Sequence, residues 1–328
     1  MKAGKSIPLT LLPGAAAPGS EEKSAMNRQL LGMLSVAAGV SIFSIQDVIV
    51  KGFSGLYPVH QIVVIRSLVA LPLLLVATVA GQGGSLRIHR IGLHVLRGIF
   101  LYISYTSYYL ALAQLPMATS VALYFTVPFF VATLGIPILG ERVRARSWIA
   151  IGLGFIGVLV IVRPGAGVME PASSLPIISA LAYSISALLA RRLGTTEGGA
   201  AMALTVTFIY LVAGALTALA LAGISPSENA HRSVRFLLNP WIWPSLLDLF
   251  LLSLCGVIAA AGFFLLSQGY RLAEVNRAAP FEYAALPWSI LWGFLFFGNL
   301  PDIAMLCGAA VIMGAGFYTL HYERREAR

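Results

Sequence analysis

The chain has 328 residues, of which 58% are hydrophobic and only 11% charged, and its formal net charge is +9. Soluble domains usually carry about 25% charged residues, so this composition excludes an ordinary soluble fold and indicates a protein embedded in lipid. The positive charge fits the basic cytoplasmic loops of a membrane protein better than a nucleic-acid partner. Both cysteines, Cys255 and Cys307, lie in apolar runs and are interpreted as small hydrophobic residues without a disulfide or a metal.

Residues 1–27 precede the first apolar run and are predicted to form a disordered cytoplasmic tail. A signal peptide is the alternative for this segment, although Pro8 and Pro13 interrupt its short apolar stretch. The runs that follow are long enough for membrane-spanning helices, which need roughly 20 apolar residues. They are residues 30–50, 61–80, 91–113, 117–139, 147–162, 174–190, 200–222, 247–270, 276–298 and 303–320. We therefore predict an all-α integral membrane protein with ten transmembrane helices.

The loops alternate in their content of basic residues. One set of loops and helix ends holds five of the 22 Lys and Arg residues, namely Lys51, Arg66, Arg163, Arg232 and Arg235. The other set, together with both termini, holds the remaining 17. Because cytoplasmic loops are enriched in Lys and Arg, both termini are predicted to lie in the cytoplasm, with residues 323–328 as a C-terminal tail in the inner-membrane orientation.

The ten runs divide into two sets of five, residues 28–163 and residues 174–322. Five spans are an odd number, so the second set must enter the membrane upside down. Gly135 and Gly140 near the end of the fourth run match Gly293 and Gly298 near the end of the ninth. This pattern predicts two inverted five-helix repeats, which are typical of transporters.

The segment from Leu96 to Val162 contains an Arg-Gly helix start, a Pro-containing helix, Leu-Gly-Glu and a Gly-rich helix. It reads LRGIFLYISYTSYYLALAQLPMATSVALYFTVPFFVATLGIPILGERVRARSWIAIGLGFIGVLVIV. The second half has the diverged counterpart AAPFEYAALPWSILWGFLFFGNLPD, with Asn299 where the first half has Glu141. Over about residues 28–322 the chain resembles the EamA family of the drug/metabolite transporter superfamily.

That resemblance implies ten helices, cytoplasmic termini, and a central cavity between two halves that works by alternating access. It also implies a secondary transporter of small metabolites across the bacterial cytoplasmic membrane. Amino acids, moved by export, are the expected substrates, and another metabolite or drug-like solute is the alternative. No cofactor is expected, the partners are the solute and the lipid bilayer, and the oligomeric state is left open, with a monomer plausible.

Ionisable residues inside membrane helices are costly and mark candidate functional sites. The first run contains Gln46 and Asp47, with Lys51 one turn further, and the second contains Arg66. One interpretation pairs Asp47 with Arg66 or with Lys51. The other lets Asp47 or Arg66 meet the amine or the carboxylate of a zwitterionic substrate.

Tyrosines dominate the third run, where Tyr102, Tyr105 and Tyr109 share one helical face. Their hydroxyl groups need partners that lipid does not supply, so this face is predicted to point inward. It either lines the cavity or packs against another helix. Four further aromatic residues are candidates for the same lining: Tyr124, Tyr283, Trp288 and Trp292.

Glu282 follows Pro280 in the ninth run and is a candidate for proton coupling, or for a structural hydrogen bond to a neighbouring helix. Glu141 stands beside several arginines and is expected to form a structural ion pair. Pro128 and Pro287 fall in the corresponding fourth and ninth runs, where they are predicted to kink the helices and to serve gating.

Two other functional classes are weighed against a carrier. The stretch from Gly152 to Gly157 matches G-x-G-x-x-G, but without a preceding strand it indicates close helix packing, not a dinucleotide site. A membrane enzyme acting on lipid would be expected to cluster His, Asp or Glu residues, whereas only His89 and His94 are close in sequence. We therefore predict no catalytic site and no metal site.

Overall fold

The computed structural model describes residues 20–80, 88–140, 143, 145–163, 171–194, 197–227 and 229–326. Within these ranges the regular structure is helical and no strand occurs. The helices of the first half are α1 Ser20–Phe53, α2 Val59–Ala80, α3 Ile91–Leu112, α4 Met117–Tyr124, α5 Val127–Leu139 and α6 Ala145–Val162. Those of the second half are α7 Ser174–Leu193, α8 Gly199–Ala220, α9 Arg232–Leu238, α10 Leu246–Leu272, α11 Val275–Ala278, α12 Ala285–Phe297 and α13 Ile303–Glu326.

The helix ends extend into both segments that the sequence assigns to tails. Helix α1 begins at Ser20, so residues 20–27 are helical, and residues 1–19 lie outside the described residues. Helix α13 continues to Glu326. Glu141, for which an ion pair is expected, also lies outside the described residues.

Among the described residues, seven helical segments, counting α4 and α5 together, are long and apolar enough to cross a bilayer. This confirms an all-α membrane protein. Helix α3 has 22 residues but carries four tyrosines as well as His94 and Arg97, which lower its hydropathy. Large apolar side chains on the outer surface, such as Val76, Phe250 and Leu219, are 65%, 64% and 73% exposed, which suits contact with lipid.

The two halves pack on each other through matching helix pairs. Helix α1 packs along α10, and α3 packs along α7. Helix α2 packs against α8, and α6 against α13. If each helix is replaced by the helix at the same position in the other half, the pair α1–α10 becomes the pair α7–α3. The pairs α2–α8 and α6–α13 are each converted into themselves.

The contact between α6 and α13 is reciprocal, because each helix places a glycine, followed four residues later by an isoleucine, against the other helix. A Cβ atom added to Gly157 would lie 2.8 Å from the carbonyl oxygen of Gly308 and 2.6 Å from Ile312. One added to Gly308 would lie 2.6 Å from the carbonyl oxygen of Gly157 and 2.5 Å from Ile161. Close packing, predicted for this glycine-rich stretch, is therefore confirmed at Gly157, whereas Gly152 faces open space.

Irregular backbone interrupts the fourth and ninth predicted runs. Helix α4 ends at Tyr124, and α5 begins at Val127, one residue before Pro128, so Phe125 and Thr126 separate the two helices. Helix α12, which contains Pro287, is preceded by a 3₁₀ helix over Ala279–Ala284. Helices α5 and α12 both end at a glycine with positive φ, 70° at Gly140 and 66° at Gly298, a conformation that glycine adopts without steric cost.

Replacement of Gly157 by leucine tests the α6–α13 contact. The larger side chain has no room between the two backbones, so we expect a destabilisation at or above the roughly 1–3 kcal/mol typical of overpacking. Gly152→Leu, on the same helix but facing open space, is the matched control and should unfold like the unsubstituted protein. Thermal unfolding in detergent measures both, and equal midpoints for the two variants would contradict this packing.

Candidate functional site

A cavity of about 60 Å³ lies between the two halves of the protein. Helices α1, α3, α4 and α7 supply most of its wall, and α10 and α12 complete it. The residues that line this central cavity are Val40, Phe43, Asp47, Ser104, Tyr105, Tyr108, Val121, Tyr124, Ser179, Tyr183, Leu266 and Ala285. Small-molecule sites usually enclose roughly 300–1,000 Å³, so the central cavity is too small in this conformation to hold a typical metabolite.

Among the described residues that line the central cavity, Asp47 is the only one with an acidic or basic side chain. Its Oδ2 atom accepts a hydrogen bond of 3.2 Å from the hydroxyl group of Tyr108. Across the cavity, Ser104 on α3 and Ser179 on α7 share a hydrogen bond of 3.0 Å. The cavity thus combines an aromatic wall with a single carboxylate and a small polar bridge between the halves.

A row of tyrosine rings continues from Asp47 to a second buried carboxylate. The ring of Tyr108 is 5.5 Å from that of Tyr124, which is 5.6 Å from that of Tyr183. The ring of Tyr183 is in turn 6.3 Å from that of Tyr270, whose hydroxyl group donates a hydrogen bond to Oε1 of Glu282. Such edge-to-face arrangements are favoured by the charge distribution of aromatic rings.

Glu282, the second carboxylate, is buried, with only 2% of its surface exposed. Within the described part of the chain, its Oε2 atom has no hydrogen-bond partner. Burial of a hydrogen-bond acceptor without a partner costs free energy, so such a carboxylate oxygen either carries a proton or can accept a hydrogen bond from a group that binds next to it. Glu282 and Asp47 therefore form the two ends of one tyrosine row.

Arg66 is fully buried beside the central cavity and is enclosed by aromatic rings. Its guanidinium carbon lies 5.0 Å from the ring centre of Tyr210 and 5.8 Å from that of Phe263. Tyr105 and Tyr109 complete this cage at 5.7 and 5.6 Å. Cation–π contacts of this kind stabilise a charge that has left water.

Hydrogen bonds hold one side of the Arg66 guanidinium. Its Nη1 atom donates to the hydroxyl group of Tyr109 at 2.9 Å. With the amide oriented to satisfy its neighbours, the Gln46 oxygen accepts from Nη1 at 2.8 Å while its nitrogen donates to the carbonyl of Cys255 at 3.0 Å. Among the described residues, the Nε and Nη2 atoms of Arg66 have no partner.

Neither ion pair weighed for Asp47 forms in this conformation. Lys51 donates instead to the carbonyl oxygens of Leu112 and Leu115, at 2.5 and 2.7 Å. It thereby satisfies the C-terminal end of α3, a site that favours cations. Asp47 contacts Tyr108 and Arg66 contacts Tyr109, two tyrosines that are neighbours in sequence.

The structure separates the other predicted site residues. Tyr105 and Tyr124 line the central cavity, and Gln46 and Tyr109 belong to the Arg66 cage. Tyr102 faces α8, where its hydroxyl group and Thr217 share a hydrogen bond of 2.8 Å. Tyr283 packs on Phe125, and Trp288 stacks on Trp292 with 38% of its surface exposed, so neither lines the cavity.

Several cavity and cage residues were not singled out from the sequence. Phe43, Tyr108, Ser179 and Tyr183 line the cavity, and Tyr210, Phe263 and Tyr270 support the cage and the tyrosine row. Tyr183, Tyr210 and Tyr270 share one signal, a position inside an apolar run of the second half, and the reasoning applied to the tyrosines of α3 would have found them. Tyr108 lies on α3 itself, outside the helical face predicted for the other tyrosines of that helix.

A second polar cluster joins α3 to the start of α8. Glu197, whose side chain is fully buried, accepts a hydrogen bond of 2.8 Å from the backbone N–H of His89, and its carboxylate lies 3.5 Å from His94. Arg97 fixes the same region through the carbonyl of Met202 at 3.0 Å and the hydroxyl of Ser267 at 3.1 Å. Among the described residues, no group of three or more His, Cys, Asp or Glu side chains is arranged to hold a metal ion.

Comparison with known proteins places this architecture in a family. Residues 30–163 match the model of the EamA-like transporter family. A riboflavin transporter of Rhizobium johnstonii is 30% identical over 245 residues, which cover 74% of this chain and 75% of that protein. An S-adenosylmethionine uptake transporter of Rickettsia bellii is 23% identical over 241 residues, covering 74% of this chain and 76% of that protein.

Two further proteins cover more of the chain. A pseudopaline exporter of Pseudomonas aeruginosa is 25% identical over 297 residues, which cover 87% of this chain and 94% of that protein. A solved crystal structure shares the fold with a TM-score of 0.65 and 19% identity, covering 92% of this chain and 98% of the other. The matched family model and the similarity to the Rhizobium johnstonii riboflavin transporter show that the chain belongs to the EamA-like transporter family.

Proposed function

We propose that the protein is a secondary carrier that exports small amino-acid-type metabolites through the central cavity by alternating access. The observation that carries the proposal is the position of Asp47, a lone carboxylate in an aromatic-walled cavity between the two halves. A carboxylate in this setting binds an ammonium group, and the rings around it add cation–π attraction. Larger solutes with a flat ring are the alternative substrates, because the same rings can stack on them.

The proposed topology has ten spans, cytoplasmic termini and two inverted repeats, residues 28–163 and 174–322, in the bacterial cytoplasmic membrane. The distribution of 17 basic residues against five supports this orientation. The exchange symmetry of the helix pairs and the reciprocal contact of Gly157 with Gly308 support the repeat. In this topology Asp47 lies toward the outer side and Glu282 toward the cytoplasmic side.

The proposed transport cycle follows from the small volume of the central cavity. A metabolite fits only if the helices around the cavity move apart, first on one side and then on the other. The breaks before Pro128 and at Ala279–Ala284 interrupt the two helices that correspond in the halves, and they supply the places where bending is least costly. Glu282, buried with one free oxygen, is the proposed site of proton binding that couples the cycle to a gradient.

Transport into liposomes tests the proposed function directly. Purified protein is reconstituted and supplied with labelled amino acids of each charge class, riboflavin and S-adenosylmethionine, with and without an imposed proton gradient. We expect saturable flux of one class that an unlabelled compound of the same class inhibits. If folded protein gave no flux above empty liposomes for any of these solutes, the proposed substrate class would be wrong.

Substitution of the two carboxyl groups should separate binding from coupling. Asp47→Asn is expected to weaken substrate binding by about tenfold or more, because a charged hydrogen bond contributes roughly 1.5–3 kcal/mol. Glu282→Gln is expected to abolish the response to the proton gradient and to leave exchange of substrate for substrate intact. Asp302, which is exposed, and Glu274, which is half-buried, lie outside the cavity lining and supply the controls D302N and E274Q. Wild-type transport by both site variants would refute these roles.

Filling the central cavity offers an independent test of the pathway. Ser179→Leu places a larger apolar side chain where the hydroxyl groups of α3 and α7 now meet, and we expect flux to fall at least tenfold as the free volume disappears. Ser41→Leu on α1, outside the cavity lining, is the matched control. Both variants are compared at equal reconstituted amounts, and undiminished flux in Ser179→Leu would place the pathway elsewhere.

A further inference from the structure

A second pocket, of about 580 Å³, lies at the end of the protein opposite to Asp47. Four arginines from three helix ends line it: Arg90 precedes α3, Arg191 and Arg192 end α7, and Arg271 ends α10. Ile138 and Leu139 of α5 form an apolar wall, and Gly194 completes the lining. We refer to this site as the arginine pocket.

The described side chains that line the arginine pocket carry charge of one sign, because every charged residue among them is an arginine. The nearby carboxylate of Glu197 is fully buried and turned to His89 and His94, and that of Glu274 pairs with Arg277 at 3.0 Å. A concave site that holds charges of one sign attracts the opposite sign strongly, because its walls focus the field.

Two of the arginines are held in place before any ligand arrives. Arg191 donates from Nη1 to the carbonyl oxygen of Arg271 at 3.1 Å, and Arg271 donates from Nε to Gln268 at 3.1 Å. The stem of Arg271 also lies against Gly194, where an added Cβ would be only 2.8 Å from Cγ. A side chain fixed in this way loses little further entropy on binding.

We propose that the arginine pocket binds a phosphate group. Guanidinium groups recognise phosphate through paired, charge-assisted hydrogen bonds, and the pocket presents several around one space. The apolar wall of α5 leaves room for the less polar part of a phosphate-bearing ligand. Such a ligand would tie the end of α5 to the ends of α7 and α10, and hence one half of the carrier to the other.

The phosphate has two chemical sources, an anionic phospholipid of the surrounding leaflet or a soluble phosphorylated compound. Basic pockets between helices on the cytoplasmic side commonly receive lipid headgroups. Native mass spectrometry measures retention of phosphatidylglycerol against phosphatidylcholine. Thermal unfolding measures stabilisation by pyrophosphate against chloride at equal ionic strength, and neither readout depends on transport.

Three variants test the arginine pocket. The double variant Arg191→Gln/Arg271→Gln should weaken binding of the preferred probe by about tenfold or more, given the strength of charged hydrogen bonds. Arg277→Gln removes a charge that pairs with Glu274 outside the pocket, and it should bind as the wild type does. Gly194→Val keeps all four arginines but displaces Arg271, so it should also weaken binding, whereas Gly198→Val, in open space, should not.

The two measurements test whether the arginine pocket binds phosphate and which source supplies it. Preferential retention of phosphatidylglycerol assigns the site to a lipid, and stabilisation by pyrophosphate alone assigns it to a soluble phosphate. Equal retention of both lipids together with no effect of pyrophosphate would overturn the proposal. So would an equal loss in Arg277→Gln and in the double variant, because the attraction would then reflect only net charge.

Discussion

The buried guanidinium of Arg66 is the constraint around which the centre of the protein is organised. A cation inside a membrane protein must be compensated, and here the compensation comes from four aromatic rings and two hydrogen bonds in place of an ion pair with a carboxylate. These groups come from α1, α3, α8 and α10 and converge on one residue of α2. Loss of the charge would therefore leave several helices without their common contact.

The cage and the central cavity share a wall, and this is why tyrosine is so frequent here. Tyr105 presents one part of its ring to Arg66 and also lines the cavity. A tyrosine ring is apolar enough to be buried, and its hydroxyl group can serve a neighbouring carboxylate or serine. The interior thus remains polar, and Asp47, Arg66 and Glu282 place ionisable groups in or near the central cavity and its tyrosine row.

Local features of the fold could be predicted from the sequence, and contacts between distant segments could not. Apolar runs, basic loops and the glycines at 140 and 298 are properties of short stretches, and they located the helices and their ends. The three-and-four spacing grouped Tyr102 with Tyr105 and Tyr109, but Tyr102 pairs with Thr217 on α8, whereas Tyr105 and Tyr109 both contact Arg66. Of these three residues, Tyr105 lines the central cavity. Asp47 and Arg66 are ionisable residues of neighbouring apolar runs, which suggested a pair between them, whereas their side chains contact two different tyrosines. Side-chain direction across helices depends on packing angles that no single segment encodes.

The crossing of α6 and α13 has a consequence for how these helices can vary. At Gly157 and Gly308 each backbone carbonyl occupies the space that the other residue's side chain would need. A damaging substitution in a protein core is often rescued by a smaller residue opposite to it. No residue is smaller than glycine, so neither position can compensate for a larger residue at the other. A second substitution at this pair of positions therefore cannot suppress the effect of the first.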